Sequence, residues 1–141
     1  MLPLRYALRW QVASAALLLV VLAGAMMPAI WFWPDRVRAL NWIGGLDKWA
    51  HLLTFAFLAV WFAGQYRRGS YWRVGLGLVG FGVLIELCQR MVGYRSAEWL
   101  DIGADVGGIA IGLAIGLAGV GGWSQRFENR YLARSGDASR D

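Results

Sequence analysis

Asp47, Lys48 and His51 fall within about one helical turn of each other, and further along Glu86, Gln89 and Arg90 do the same. Arg95 follows, and then Asp101 and Asp105, four residues apart. Lysine and arginine side chains hold a phosphate or carboxylate, arginine through paired N–H donors and lysine as a point charge. A histidine among carboxylates either orients such cations or serves as acid and base in a reaction. The same set offers one imidazole nitrogen and several carboxylate oxygens, which suits Mg²⁺ or Ca²⁺ better than Zn²⁺. Lys48, Arg90 and Arg95 would repel such an ion. The sequence therefore assigns no metal and no cofactor.

These residues stand at the edges of four long apolar runs, roughly Gln11–Trp33, Trp49–Gln65, Trp72–Val92 and Leu100–Trp123. Each is near the ~20 apolar residues a helix needs to cross ~30 Å of hydrocarbon. Of the nine tryptophans, Trp10, Trp31, Trp33, Trp42, Trp49, Trp72, Trp99 and Trp123 fall at run edges, where an indole sits in the membrane interface. Only Trp61 falls well inside a run. With 141 residues and 58% hydrophobic content, the chain is one domain, 1–141, with no room for a separate soluble one. Its mean hydropathy of +0.46 agrees. The expected fold is an all-α transmembrane bundle of four helices. Cys88 stands alone inside the third run, so the chain makes no internal disulfide.

The net charge of +5 invites a nucleic-acid reading, but the placement of the charges does not support one. Arg5, Arg9, Arg67, Arg68, Arg73, Arg126, Arg130, Arg134 and Arg140 fall on one side of the runs, and Arg36, Arg38, Lys48, Arg90 and Arg95 on the other. The positive-inside rule then puts both termini in the cytoplasm, N-in and C-in, with 124–141 as a cytoplasmic tail. Arg5, Arg9 and Ala23-Gly24-Ala25 resemble a signal peptide and its cleavage box. The apolar run continues through Trp31 to Pro34, so a retained first helix is expected. Pro34–Lys48 reads as the longest loop, Gly93 as the close of helix three and Ser96 as the N-cap of helix four.

Two glycine patterns separate on context. Gly75, Gly77 and Gly80 match the dinucleotide-binding spacing, but no strand precedes them, so the motif lacks its setting. Ala104, Gly108, Gly112 and Gly116 recur every four residues and form a small-residue stripe expected to pack against another helix.

The topology brings the polar residues of three helices to one outer side. A charge at the bilayer centre costs ~2.5–3.5 kcal/mol, so they must face one another or a watery cleft. Two readings stand: a self-satisfied ion-pair network that fixes helix register, or a site for an external ligand. The number of ionisable groups favours the site.

Asp47-Lys48-x-x-His51, then Glu86-x-x-Gln89, Arg95 six residues on, Asp101 six after that, and finally Gly108 and Gly112 together resemble the VanZ-like membrane protein family. The resemblance covers about 46–116. Where the family pattern often shows asparagine four residues after the aspartate, this chain has Asp105. The founding member is associated with low-level resistance to the glycopeptide antibiotic teicoplanin and has no established biochemical activity. The resemblance thus implies a multi-pass protein of the bacterial inner (cytoplasmic) membrane and cell envelope, not a reaction. The expected partners are membrane lipids, with anionic lipid or wall-precursor headgroups at the polar cluster. The alternative is a non-enzymatic accessory subunit packed in a larger membrane complex.

Overall fold

The structure is a computed structural model that describes residues 1–27, 36–92 and 99–137, with side chains described over 1–27, 48–91 and 99–131. Five helices make up the described chain: α1 (Ala7–Met26), α2 (Arg36–Ala63), α3 (Tyr71–Val92), α4 (Trp99–Ile115) and α5 (Trp123–Asp137). A single 3₁₀ turn, Arg68–Ser70, joins α2 to α3, and a wide five-residue turn, Gly116–Val120, leads out of α4. No strand occurs among the described residues. Ala7–Met26, Arg68–Met91 and Trp99–Val120 are long and apolar enough to cross a membrane. The apolar part of α2, Lys48–Ala63, is shorter.

Two segments depart from the expected loops. Helix α2 begins at Arg36, so most of Pro34–Lys48 is helical, and the tail carries α5 rather than irregular chain. Polarity alone does not break a helix, and neither segment contains a proline after Pro34. The expected proline stop at Pro34, the Gly93 and Ser96 helix ends, and Trp31 and Trp33 lie outside the described residues. So do the side chain of Trp42 and all of Arg95.

The bundle is built around the contact of α2 with α4. A Cβ on Gly108 would run into the carbonyl oxygen of Leu52, one on Gly112 into that of Ala56, and one on Gly116 into the methyl of Ala63. The small-residue stripe therefore lies directly on the α2 backbone, as expected of helices packed without large side chains between them. Phe55, Leu58, Ala59, Val74, Leu78, Ile85 and Ile109 form the core from α2, α3 and α4. Helix α1 leans on its edge through Leu17, Leu18, Val21 and Leu22. Ser14 is the buried residue of α1.

The last turn of α2 leaves carbonyls that an apolar surrounding cannot solvate. Other elements supply the donors. Trp123 Nε1–H reaches Val60 O at 3.3 Å, Gly122 N–H reaches Ala63 O at 3.1 Å, and Tyr71 Oη–H reaches the same oxygen at 3.2 Å. Ser124 Oγ–H donates to Gly64 O, and Leu2 N–H to Gln65 O at 2.8 Å. The chain can make this close approach because Gly119 and Gly122 adopt φ of 129° and 74°, which favour glycine. Arg126 donates to the carbonyls of Gly119 and Val120 at 3.1 and 2.8 Å. Helix four thus ends before the expected Trp123.

Trp61, expected inside a span, meets Trp10 and Trp123 at this same end, with ring centroids 5.8 and 5.4 Å away. Its indole N–H donates to Ser14 Oγ at 2.9 Å, and Gln65 Nε2 donates to the same oxygen at 3.0 Å. Trp72 and Trp99 are exposed at the starts of α3 and α4, and Trp49 is exposed where the apolar part of α2 begins, as interface residues should be.

Candidate functional site

At the end of the bundle away from Trp10, α2, α3 and α4 bring their ionisable residues together. His51 stands four residues before Phe55 of the core, so both face inward on α2. Asp101 and Asp105 lie one turn apart on the buried face of α4, in line with Gly108 and Gly112. The stripe that presses α4 onto α2 thereby sets Asp105 against His51.

His51 Nδ1 lies 2.8 Å from Asp105 Oδ1. Asp105 is 1% exposed and His51 8%, so the contact is shielded from solvent. The second oxygen of Asp105 packs against Gly82 of α3, where a Cβ would collide with it. A glycine in α3 is what admits this carboxylate. Lys48, one turn before His51, places Nζ 3.9 Å from Asp101 Oδ1. The Lys48 side chain is 30% exposed and Asp101 only 3%, so lysine forms the rim of the cluster. Glu86 completes it from α3, also buried.

The other expected members diverge. Gln89 is buried but turns to α1, donating from Nε2 to Ala25 O at 3.1 Å. Arg90 does not enter the cluster: it is exposed, with its guanidinium 5.7 Å from the Trp99 ring centroid. The Asp47 side chain and Arg95 lie outside the described residues.

Ligand-type atoms of His51, Glu86 and Asp101 lie within 4.8 Å of one another. Divalent ions hold such atoms at about 2.0–2.6 Å, so ligand atoms of one ion stand up to about 5 Å apart, and this spacing admits a shared ion. Lys48 already stands against Asp101. The arrangement as it stands is an oriented imidazole and an ammonium, each held by a buried carboxylate.

A second polar centre escaped the sequence reading. Glu128 of α5 is 5% exposed and lies at the start of α1. It accepts hydrogen bonds from Arg5 N–H at 2.8 Å, Tyr6 N–H at 3.0 Å and Trp10 Nε1–H at 2.9 Å. Burial raises the Glu128 pKa, but these three donors and the Arg5 charge outweigh it and hold the carboxyl below the usual range. Tyr6 at the start of α1 makes no side-chain cap, so a carboxylate from the far end of the chain takes that role.

Compared with protein-family models, curated proteins and solved structures, the chain matches none.

Proposed function

We propose that this chain is a VanZ-like multi-pass protein of the bacterial cytoplasmic membrane whose His51–Asp105 and Lys48–Asp101 cluster binds an anionic lipid or wall-precursor headgroup. The bundle has four transmembrane helices, α1 to α4, with both termini in the cytoplasm. The observation that carries the reading is the placement of Lys48. It is the partly exposed cation of a buried cluster, anchored by Asp101 at the rim. The apolar part of α2, Lys48–Ala63, is 16 residues and spans only about 24 Å at 1.5 Å per residue. That is short of ~30 Å of hydrocarbon, which brings Lys48 close to headgroup level. The buried carboxylates then serve to position Lys48 and His51, and the ligand meets the cations. Exposed Arg5, Arg9, Arg67, Arg68 and Arg73 at the opposite end support a cytoplasmic placement for that end.

A second reading has its own support. His51 and Lys48 pair with acids of the same cluster, as they would in a non-enzymatic accessory subunit that uses the network only to fix helix register. Lipid retention separates the two. In native mass spectrometry of the detergent-solubilised protein with added phosphatidylglycerol, Lys48→Met should lose a bound lipid that wild type keeps. Equal retention by folded Lys48→Met would remove the headgroup reading and leave the subunit.

A further inference from the structure

The opposite end of the molecule carries a groove that the headgroup site does not use. Its volume is about 320 Å³, and it runs between the start of α1 and α5, lined by Tyr6, Arg9, Trp10, Ala13, Phe127 and Tyr131, with Glu128 at its base. That volume is at the lower end of the range for small-ligand sites. Most of the lining is aromatic or aliphatic, and Phe127 and Tyr131 are exposed. Trp123, Phe127 and Tyr131 recur every four residues along one face of α5, beside Arg126 and Arg130. An aromatic face next to an arginine face is the pattern of a helix lying in a membrane interface.

Charge decides the occupant. Arg9 lies over the Tyr6 ring, its guanidinium carbon 4.8 Å from the centroid. Stacking on a ring face leaves the in-plane N–H donors directed outward, where they suit a phosphate. Glu128 would repel an anion if its charge were exposed. Its oxygens instead accept from Arg5 N–H, Tyr6 N–H and Trp10 Nε1–H, so its charge is spent within the protein. Around it, Arg5 and Arg130 are exposed cations. The groove also begins where Ala7–Met26 begins, at the edge of a membrane-crossing segment.

We infer that the α1–α5 groove binds one anionic phospholipid, with Arg9 on the phosphate and an acyl chain over Ala13 and Phe127. This site is independent of the Lys48 cluster and lies at the other end of the bundle.

The test compares full-length variants by native mass spectrometry in detergent, with phosphatidylglycerol or phosphatidylcholine added at equal concentration. Wild type should retain phosphatidylglycerol in preference to phosphatidylcholine. Arg9→Gln should weaken that retention about fivefold, the ~1 kcal/mol that one arginine contributes beside an anionic lipid surface. Arg67→Gln, which removes the same charge outside the groove, should not. Ala13→Phe keeps every arginine and fills the groove from an exposed position of α1, so it should also lose the lipid. Inorganic phosphate at millimolar concentration should fail to displace it, because the acyl chain contributes to binding. Equal retention of the two lipids, equal effects of Arg9→Gln and Arg67→Gln, full retention by Ala13→Phe, or displacement by phosphate alone would each overturn the inference. Lys48→Met leaves this lipid in place, so loss of the headgroup reading and loss of this one are read separately.

Discussion

His51 and Asp105 meet at 2.8 Å, and the contact rests on one oxygen of the aspartate. An asparagine can present a carbonyl oxygen to the same nitrogen, so Asp105→Asn should change thermal stability in detergent by less than about 1 kcal/mol. Asp105→Ala leaves the imidazole without that acceptor and should lose about 1–3 kcal/mol. A large loss in Asp105→Asn would mean that the charge, rather than the hydrogen bond, holds the pair. Glu128 makes a pH-dependent contribution of the opposite origin, a carboxylate held ionised by donors. Because its folded pKa is lowered, its contribution is fully present above the ordinary glutamate value near 4.3 and is lost as pH falls through the lower folded value. The protection factors of the Arg5 and Tyr6 amides against hydrogen exchange should therefore fall on acidification below the ordinary glutamate range, and Glu128→Gln should abolish that dependence. Helical spacing makes it legible that His51 and Asp105 face the same side, because each extends a buried stripe on its own helix, but it does not say which atoms pair. Arg90 was misplaced because it lies about 100° past Gln89 around α3, enough to reach Trp99 instead of the interior. Glu128 was invisible because its partners are 118 to 123 residues away along the chain.

At the scale of elements, the α2–α4 contact positions the site, and glycine makes that contact possible. Gly108→Ala or Gly112→Ala would force the two backbones apart and should destabilise by about 1–3 kcal/mol, the usual consequence of overpacking. Gly103→Ala, with open space at its Cβ, should be neutral or stabilising. Unfolding in mixed micelles would compare them, and equal effects at Gly103 and Gly108 would contradict the close packing. This stripe was readable because a four-residue repeat of small side chains has one use in an apolar helix. The starts of α2 and α5 were not. Both are polar, and a polar stretch reads as loop, whereas Ser124 and Glu128 are buried on one face of α5. A polar helix that docks at a bundle end shows only a short inward stripe, easily lost against its charged face.

At the scale of the whole molecule, the chain has two polar ends with distinct tasks. One satisfies backbone: carbonyls at the end of α2 and just past it take donors from Tyr71, Trp123 and Ser124, and Glu128 takes donors from the start of α1. The other gathers Lys48, His51, Glu86, Asp101 and Asp105 from three helices. Under the proposed orientation, a cysteine at Ser70 in a Cys88→Ala background should resist an impermeant thiol reagent in intact cells and react in inverted membranes. Labelling from outside would reverse the topology and the leaflet of the proposed headgroup. Whether the second polar end is a site or a scaffold turns on the Lys48–Asp101 pair. Removing one partner leaves the other uncompensated and destabilises under either reading, so the pair must go together. The decisive measurement is native mass spectrometry with phosphatidylglycerol on the double variant Lys48→Met with Asp101→Asn, alongside its unfolding temperature. The account predicts a variant at least as stable as either single variant that has lost the lipid dependent on Lys48. A folded double variant with unchanged lipid retention would contradict it.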